Sequence, residues 1–510
     1  MQRKQLTLVI VSLLVVVLSV SLAYFTAQII GKGKDVSVTS ANLQIVFTDS
    51  DGALTETDIE PGWSATKTFT IKNDTKTEYK YNIVIKDLLN TFVTNGYLQY
   101  KITSTNNGYN MTEFKDIPKS SAPKDKILAY SVSIPVGVTQ SYTIEFKYAN
   151  DESVDQSDDM GKKLSGTLFI TEGTEEPTFY STLLSDRGIA TTNRTTFSAA
   201  FDSTDQVLYT AKEDNKTVYY FAGNVTTNWV KFGKNENNQD LYWRIIRTNS
   251  DGGVRLLYHG TSTTATDAYI GTSKFNSSSD NIAYVSYMYG STGSIPNART
   301  NQTNSSTIKG VIDNWYARNL EAKGYTKYLS TTAVYCNDRT YTVDGSDTLF
   351  GAYTRLADNK TPSYDCSVAE DKFTVDSSAG NGKLTHPIAL MTADEISYAG
   401  GIYGNYNANA WYFRNAKEGT LATSSSSTDA SYSSTGPTWW WLLSPGYWIG
   451  SDAYVFYVYG SSRPGRLSDD GVNNAYGVRP AVSLKSCVKT SGGDGSADSP
   501  YTIEESISGC

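Results

Sequence analysis

The residues of this chain best suited to chemistry lie between positions 438 and 484, TWWWLLSPGYWIGSDAYVFYVYGSSRPGRLSDDGVNNAYGVRPAVSL. The chemistry they suit is contact rather than bond-making. Tyr447, Ser451, Asp452, Tyr457, Tyr459, Ser461, Ser462, Arg463, Arg466, Ser468, Asp469, Asp470, Asn473 and Asn474 are the types that binding loops use. Tyrosine gives a large contact area at low entropic cost, and the small polar residues adapt their hydrogen bonds to what they meet. Ordinary exposed loops use the same types, and the chain holds 37 tyrosines, so composition alone leaves both readings open.

Bond-making constellations are sparse. Asp394 and Glu395 adjoin like an acid/base pair, but they follow Thr392 at the spacing of a capping box, which makes them helix-start residues favoured by the dipole. His259 and His386 have no serine or cysteine nucleophile at an informative spacing and read as structural. The four cysteines, Cys336, Cys366, Cys487 and Cys510, form no CxxC pair, so neither a metal site nor a cofactor is expected and the protein does not read as an enzyme. An even count in an exported chain suggests Cys336 with Cys366 and Cys487 with Cys510, the shortest loops, although four cysteines allow three connectivities.

A rigid frame must hold the polar positions of 438–484. Trp439 to Leu443 read as a strand closed by a turn at Ser444-Pro445-Gly446. After it, Tyr454, Phe456 and Val458 share one face of a period-two strand, and Val455, Tyr457 and Tyr459 share the other, with the two tyrosines left outside. Tyr476 to Leu484 supply a further strand. Upstream, Tyr242–Arg247 and Val254–Tyr258 flank Asp251-Gly252-Gly253 as a hairpin. Ile308, Val311, Ile312, Trp315 and Leu320 recur at helical spacing, and a second helix is expected over 390–399, stopped by Gly400-Gly401.

The N-terminal residues 1–25 place Arg3 and Lys4 before an uncharged apolar run, which predicts export with the N-terminus inside. The run suits either a signal peptide, with Ser21 and Ala23 as a small-x-small cleavage site, or a retained membrane anchor. Residues 35–172 alternate in short strands separated by turn signals and predict an all-β sandwich. Residues 173–205 read as a linker with one short helix around Ser181 to Gly188, 206–488 as an α+β domain, and 489–510 as a C-terminal tail. A net charge of −8 argues against nucleic acid as a partner.

Two families share these motifs. AYFTA after the apolar run, TSANLQIVFTD, PGWSATKTFTIKND and a late GTLFI strand resemble the TasA and camelysin family. That resemblance implies an exported jelly-roll subunit of surface or biofilm fibres, with self-assembly through this domain. Camelysin has been classed as a metallopeptidase, yet the segment has no histidine and no HExxH helix. At the other end, WWWLLSPG, AYVFYVY and YGVRPAVSL resemble the variable region of C-type-lectin-fold proteins diversified by retroelements, which are similar to the formylglycine-generating-enzyme fold. In that family reverse transcription randomises template adenines, turning Asn codons into Tyr, Ser, Asp, Gly or Arg and sparing the apolar frame. Trp448 departs from that pattern and falls to the frame. The sugar-binding EPN, QPD and WND triplets of true lectins are missing.

Together the resemblances imply an exported, cell-surface or fibre-displayed protein whose variable face binds a protein or other macromolecule on another cell or surface. The alternative is a structural fibre subunit with no dedicated ligand. Catalysis by analogy with formylglycine-generating enzymes ranks last, because Cys336, Cys366 and Cys487 sit in no matching motif.

Overall fold

In a computed structural model of the protein, the described residues are 35–40, 43–49, 54–55, 60–94, 96–404, 407–417, 439–460 and 463–505. The N-terminal apolar run, Ser461, Ser462 and Cys510 lie outside them. The chain divides into two compact units, Met1–Glu176 and Pro177–Cys510, and strand predominates over helix in both.

Among its described residues, unit 1 is built from strands apart from one 3-10 turn. These are β1 (Asp35–Ser40), β2 (Leu43–Asp49), β3 (Leu54–Thr55), β4 (Ser64–Asn73), β5 (Tyr79–Asn90), β6 (Leu98–Ser104), β7 (Lys115–Asp116), β8 (Ser120–Ile134), β9 (Thr139–Tyr148) and β10 (Leu164–Glu172). One sheet runs β1-β2-β4-β9-β6-β7 and the other β3-β10-β5-β8. Alternation drives the packing: Phe69 and Ile71 of β4, Ile102 of β6 and Ile144 of β9 share one core with Ile83 and Ile85 of β5 and Leu168 of β10. Buried polar atoms are matched, as where the Asp159 carboxylate accepts the Val93 and Thr94 amides and the Tyr148 hydroxyl.

Unit 2 begins earlier than the sequence suggests. Residues from Pro177 onward belong to it, so most of the expected 173–205 linker is part of the domain. The helix Phe179–Arg187 buries Phe179 and Leu183, one turn apart, in the main core. Further on, the Arg194 guanidinium lies over the Phe197 and Phe201 rings, 4.5 and 4.3 Å from their centroids. A segment with only two core side chains per helix carries too little periodicity to stand out from a linker. The 489–510 tail holds a short terminal strand that joins the domain. Tyr501–Ile503 adds parallel to Trp229–Lys234, burying Tyr501 and Ile503, and pairs with Thr490–Gly492.

The larger sheet of unit 2 is centred on the expected hairpin, now Asp240–Thr248 against Val254–Gly260, to which Pro480–Leu484 adds. The smaller sheet holds Trp440–Ile449, Asp452–Val458, Leu467–Gly471 and Ala475–Gly477. The expected long helix is Thr307–Tyr316, capped by Ser306 and continued by a π-helical turn over Ala317–Glu321. The second is Ala393–Ala399, with its capping box formed and Gly400 left-handed at φ 119°. Cys336 and Cys366 are bonded to each other. Cys487 is exposed and bonded to no cysteine among the described residues, and its expected partner Cys510 lies outside them.

Candidate ligand-binding face

Ten consecutive residues, Trp440–Ile449, form the strand on which the face is built, and the first seven are buried. Ser444-Pro445-Gly446 does not turn the chain. Proline cannot donate to a ladder, and the pairing with Asp452–Val458 slips on either side of Pro445, so the strand bulges there and continues. The turn comes at Gly450, whose φ of 57° favours glycine. Tyr454–Val458 of the next strand then pairs residue for residue with Leu467–Gly471, placing Tyr457 opposite Ser468 and Phe456 opposite Asp469. At the other edge Gly477 donates to the Trp439 carbonyl at 2.6 Å, and a Cβ on Gly477 would lie 2.7 Å from the Tyr269 ring.

This register sends the predicted contact residues to two sides of the sheet. On one side Trp439 is the hub. Its ring lies 5.1 Å from Tyr457 in a stack, 4.3 Å from Tyr459 and 5.1 Å from Tyr476. The Arg466 guanidinium sits over Tyr459 at 4.4 Å, and the Tyr476 hydroxyl donates to Asp470. The expectation that Tyr457 stands out to solvent is overturned. It is only 4% exposed, because Trp439 lies flat on its ring while Trp441 and Tyr476 close its edges. Tyr459, Arg466, Ser468, Asp470 and Tyr476 are half-buried.

On the opposite side Tyr447 stacks on Tyr454 at 4.4 Å and meets Tyr353 at 5.3 Å, while Tyr403 lies 5.5 Å from Tyr353 and 5.9 Å from Phe456. Asp469 projects among these phenols. Burial pushes its carboxyl up to about 6, against the pull of the Tyr403 and Tyr447 hydroxyls, with Asp470 adding to the rise. The remaining predicted positions edge the sheet. Ser451 is exposed at the Gly450 turn, Asp452 accepts from the Ser279 hydroxyl at 2.7 Å, Asn473 and Asn474 are exposed, and Arg463 is half-buried.

Trp439, Tyr476, Tyr353 and Tyr403 belong to the assembly and are not among the predicted contact residues. For Trp439 the signal was present, since alternation puts it on the same face as Trp441 and Tyr457. For Tyr353 and Tyr403 there was none, because Tyr353 arrives from a short helix and Tyr403 from a separate segment after the Ala393–Ala399 helix.

The groups considered for bond-making are held in place by other contacts. His259 is fully buried edge-on to Trp229, and burial with Arg479 and Arg244 nearby pushes its pKa well down. His386 stacks on Tyr316. Glu395 caps its helix and accepts from Arg247 at 3.0 Å and Arg255 at 2.8 Å, and Asp394 pairs with Arg355 at 2.8 Å. Among the described residues no group of three His, Cys, Asp or Glu side chains is placed to hold a metal, and no helix is long and apolar enough to cross a membrane.

Residues 355–486, which include the face apart from Tyr353, match the model of a family described as "Domain of unknown function (DUF6273)". That is well under half of the chain. No curated protein matches. A solved structure titled "AvmM Catalyzes Macrocyclization in Alchivemycin A Biosynthesis" aligns at 11% identity over 30% of this chain and 100% of that one, with a TM-score of 0.16, too low to carry an argument.

Proposed function

We propose that this is an exported, surface- or fibre-displayed protein that binds a macromolecule on another cell or surface through its C-terminal unit, without catalysis of its own. In this reading unit 2 is a C-type-lectin-like domain diversified by a retroelement, and unit 1 is a TasA/camelysin-like jelly roll that positions it outside the cell. The supporting observation is the Trp439 side of the sheet. Tyr459, Tyr476 and Arg466 are half-exposed there around one indole, with Ser468 and Asp470 beside them. Aromatic and arginine anchors ringed by small polar groups are the usual energetic centres of interfaces. Face and frame are also separable: Trp440, Leu442, Val455 and Val458 are fully buried, whereas Ser451, Asn473 and Asn474 are exposed and can change without disturbing a core.

The test is adhesion of the full-length protein to a panel of intact bacterial cells, read by flow cytometry. Replacing Tyr459 and Arg466 together by alanine should abolish any adhesion seen, and adhesion left intact would refute the assignment. At the level of the gene, a downstream near-copy of the codons for 445–480 that differs mainly at adenines is expected. A locus with neither such a copy nor a reverse transcriptase would remove the retroelement part of the proposal.

A further inference from the structure

Unit 2 also holds a cleft of about 220 Å³, lined by charged side chains together with apolar surface. Its floor is the buried network of Glu395 with Arg247 and Arg255, and of Arg355 with Asp394 and Asp338. Its walls include the hairpin turn at Asn249–Asp251 and the Cys336–Cys366 bridge. Exposed Asp214, Asp251 and Asp365 stand at its rim.

Two features distinguish this cleft from a solvated dent. The first is charge. Seven carboxylates line it against four cations, Arg247, Arg255, Arg355 and Lys372. The three guanidiniums are engaged by Glu213, Glu395, Asp394 and Asp338 at 2.6–3.0 Å, and Lys372 reaches Asp214 only at 3.9 Å. The cleft therefore keeps an acidic surplus at its mouth, and low-dielectric walls focus that field. The second is unmatched hydrogen-bonding capacity. Asn249 is 6% exposed, and neither its amide nitrogen nor its amide oxygen meets a partner. The Tyr364 hydroxyl, on a residue 7% exposed, is likewise without one. Unmatched buried polar atoms also occur elsewhere in the unit, as at Tyr220, Tyr287 and His259, but Asn249 and Tyr364 both line this one cleft, and a donor and an acceptor brought to the same cleft point to a partner that comes from outside.

We infer that this cleft binds a small organic cation, an amine or guanidinium compound that also carries a hydrogen-bond acceptor. Its positive group would meet the acidic mouth and the Asn249 oxygen, and its acceptor the Asn249 amide N–H and the Tyr364 hydroxyl. The three guanidiniums of the floor are neutralised by their own carboxylates, which leaves an anion no free countercharge there.

The experiment is calorimetric titration of the full-length protein with argininamide, ethanolamine and glucosamine, cations that each carry a carbonyl or hydroxyl acceptor, at neutral pH, with citrate as the anionic control. At least one of the three cations should bind with a Kd below about 1 mM, and more weakly at high salt, while citrate gives no heat. The rim double variant D251N/D365N changes only exposed side chains and should raise the Kd at least about fivefold, roughly 1 kcal/mol. N249L should raise it about tenfold or more, its fold verified by the melting temperature. Absence of binding by all three cations at 10 mM, equal binding of citrate, or a Kd that the rim variant leaves unchanged would overturn the assignment.

Discussion

Glu395 and Asp469 of unit 2 are both withdrawn from water, with opposite results. Glu395 lies at a helix start, where desolvation raises its pKa but the Arg255 and Arg247 guanidiniums and the Thr392 amide outweigh it and hold the group below its ordinary value. Asp469 lies on a strand among phenols, and there desolvation wins. The difference lies in the neighbours. Full-charge partners at 2.8–3.0 Å keep a buried acid ionised and fixed, whereas hydroxyl dipoles leave it near its titration point. The first acid organises the fold, and the second sits where chemistry at the sheet can be tuned.

The most damaging way to break this contrast is E395Q. Removing the charge strands two buried guanidiniums, although Arg247 keeps Glu213, and should cost about 3–5 kcal/mol in denaturant unfolding. Because the folded pKa of Glu395 is depressed, its contribution is complete above the ordinary value of 4.5 and is lost as pH falls through the folded value. A loss below 1 kcal/mol would mean the network is not needed. Next in size, C336S/C366S opens a bridge spanning 30 residues in the wall of the same region and should cost about 2–4 kcal/mol, seen as a lower melting temperature that matches the wild type under reducing conditions.

D469N should act in the other direction. With its pKa raised from 3.8 to about 6, Asp469 binds its proton more tightly in the folded state. Wild-type stability therefore declines as pH rises between those values and is level above them. The amide should remove that decline, a gain on the order of 3 kcal/mol at most at pH 7. A pH–stability profile identical to the wild type's would show that Asp469 does not titrate there. The smallest effect is expected from Y459A or R466A, each under about 1 kcal/mol in stability, because both are half-buried at the edge of the aromatic cluster. A large destabilisation by either would make the Trp439 side a packing element instead of a contact surface.

Regular elements were the readable part of this chain. The Asp251-Gly252-Gly253 hairpin, the Ile308–Trp315 helix and the Thr392/Glu395 capping box each rest on neighbours in sequence, and each is present. The Trp-led stretch was readable as strand, but its proline was mistaken for a turn, since a bulge and a turn share that residue. What failed was burial. Period two predicts one wet face for Asp452–Val458, and Trp439 covers Tyr457 on that face. Nor could local pattern show that Phe179 and Tyr501, far apart in the chain, pack ring to ring at 5.4 Å.

That last pairing governs how the protein carries a load. The helix at the start of unit 2 and its closing strand are joined by the Phe179–Tyr501 contact, by the Phe179 amide on the Val488 carbonyl at 2.6 Å, and by the Tyr501 hydroxyl on Asp186. A pull applied between residues 177 and 503 is taken up across this seam, within one edge of the larger sheet. Trp440–Ile449 and Asp452–Val458 belong to the other sheet, outside this seam.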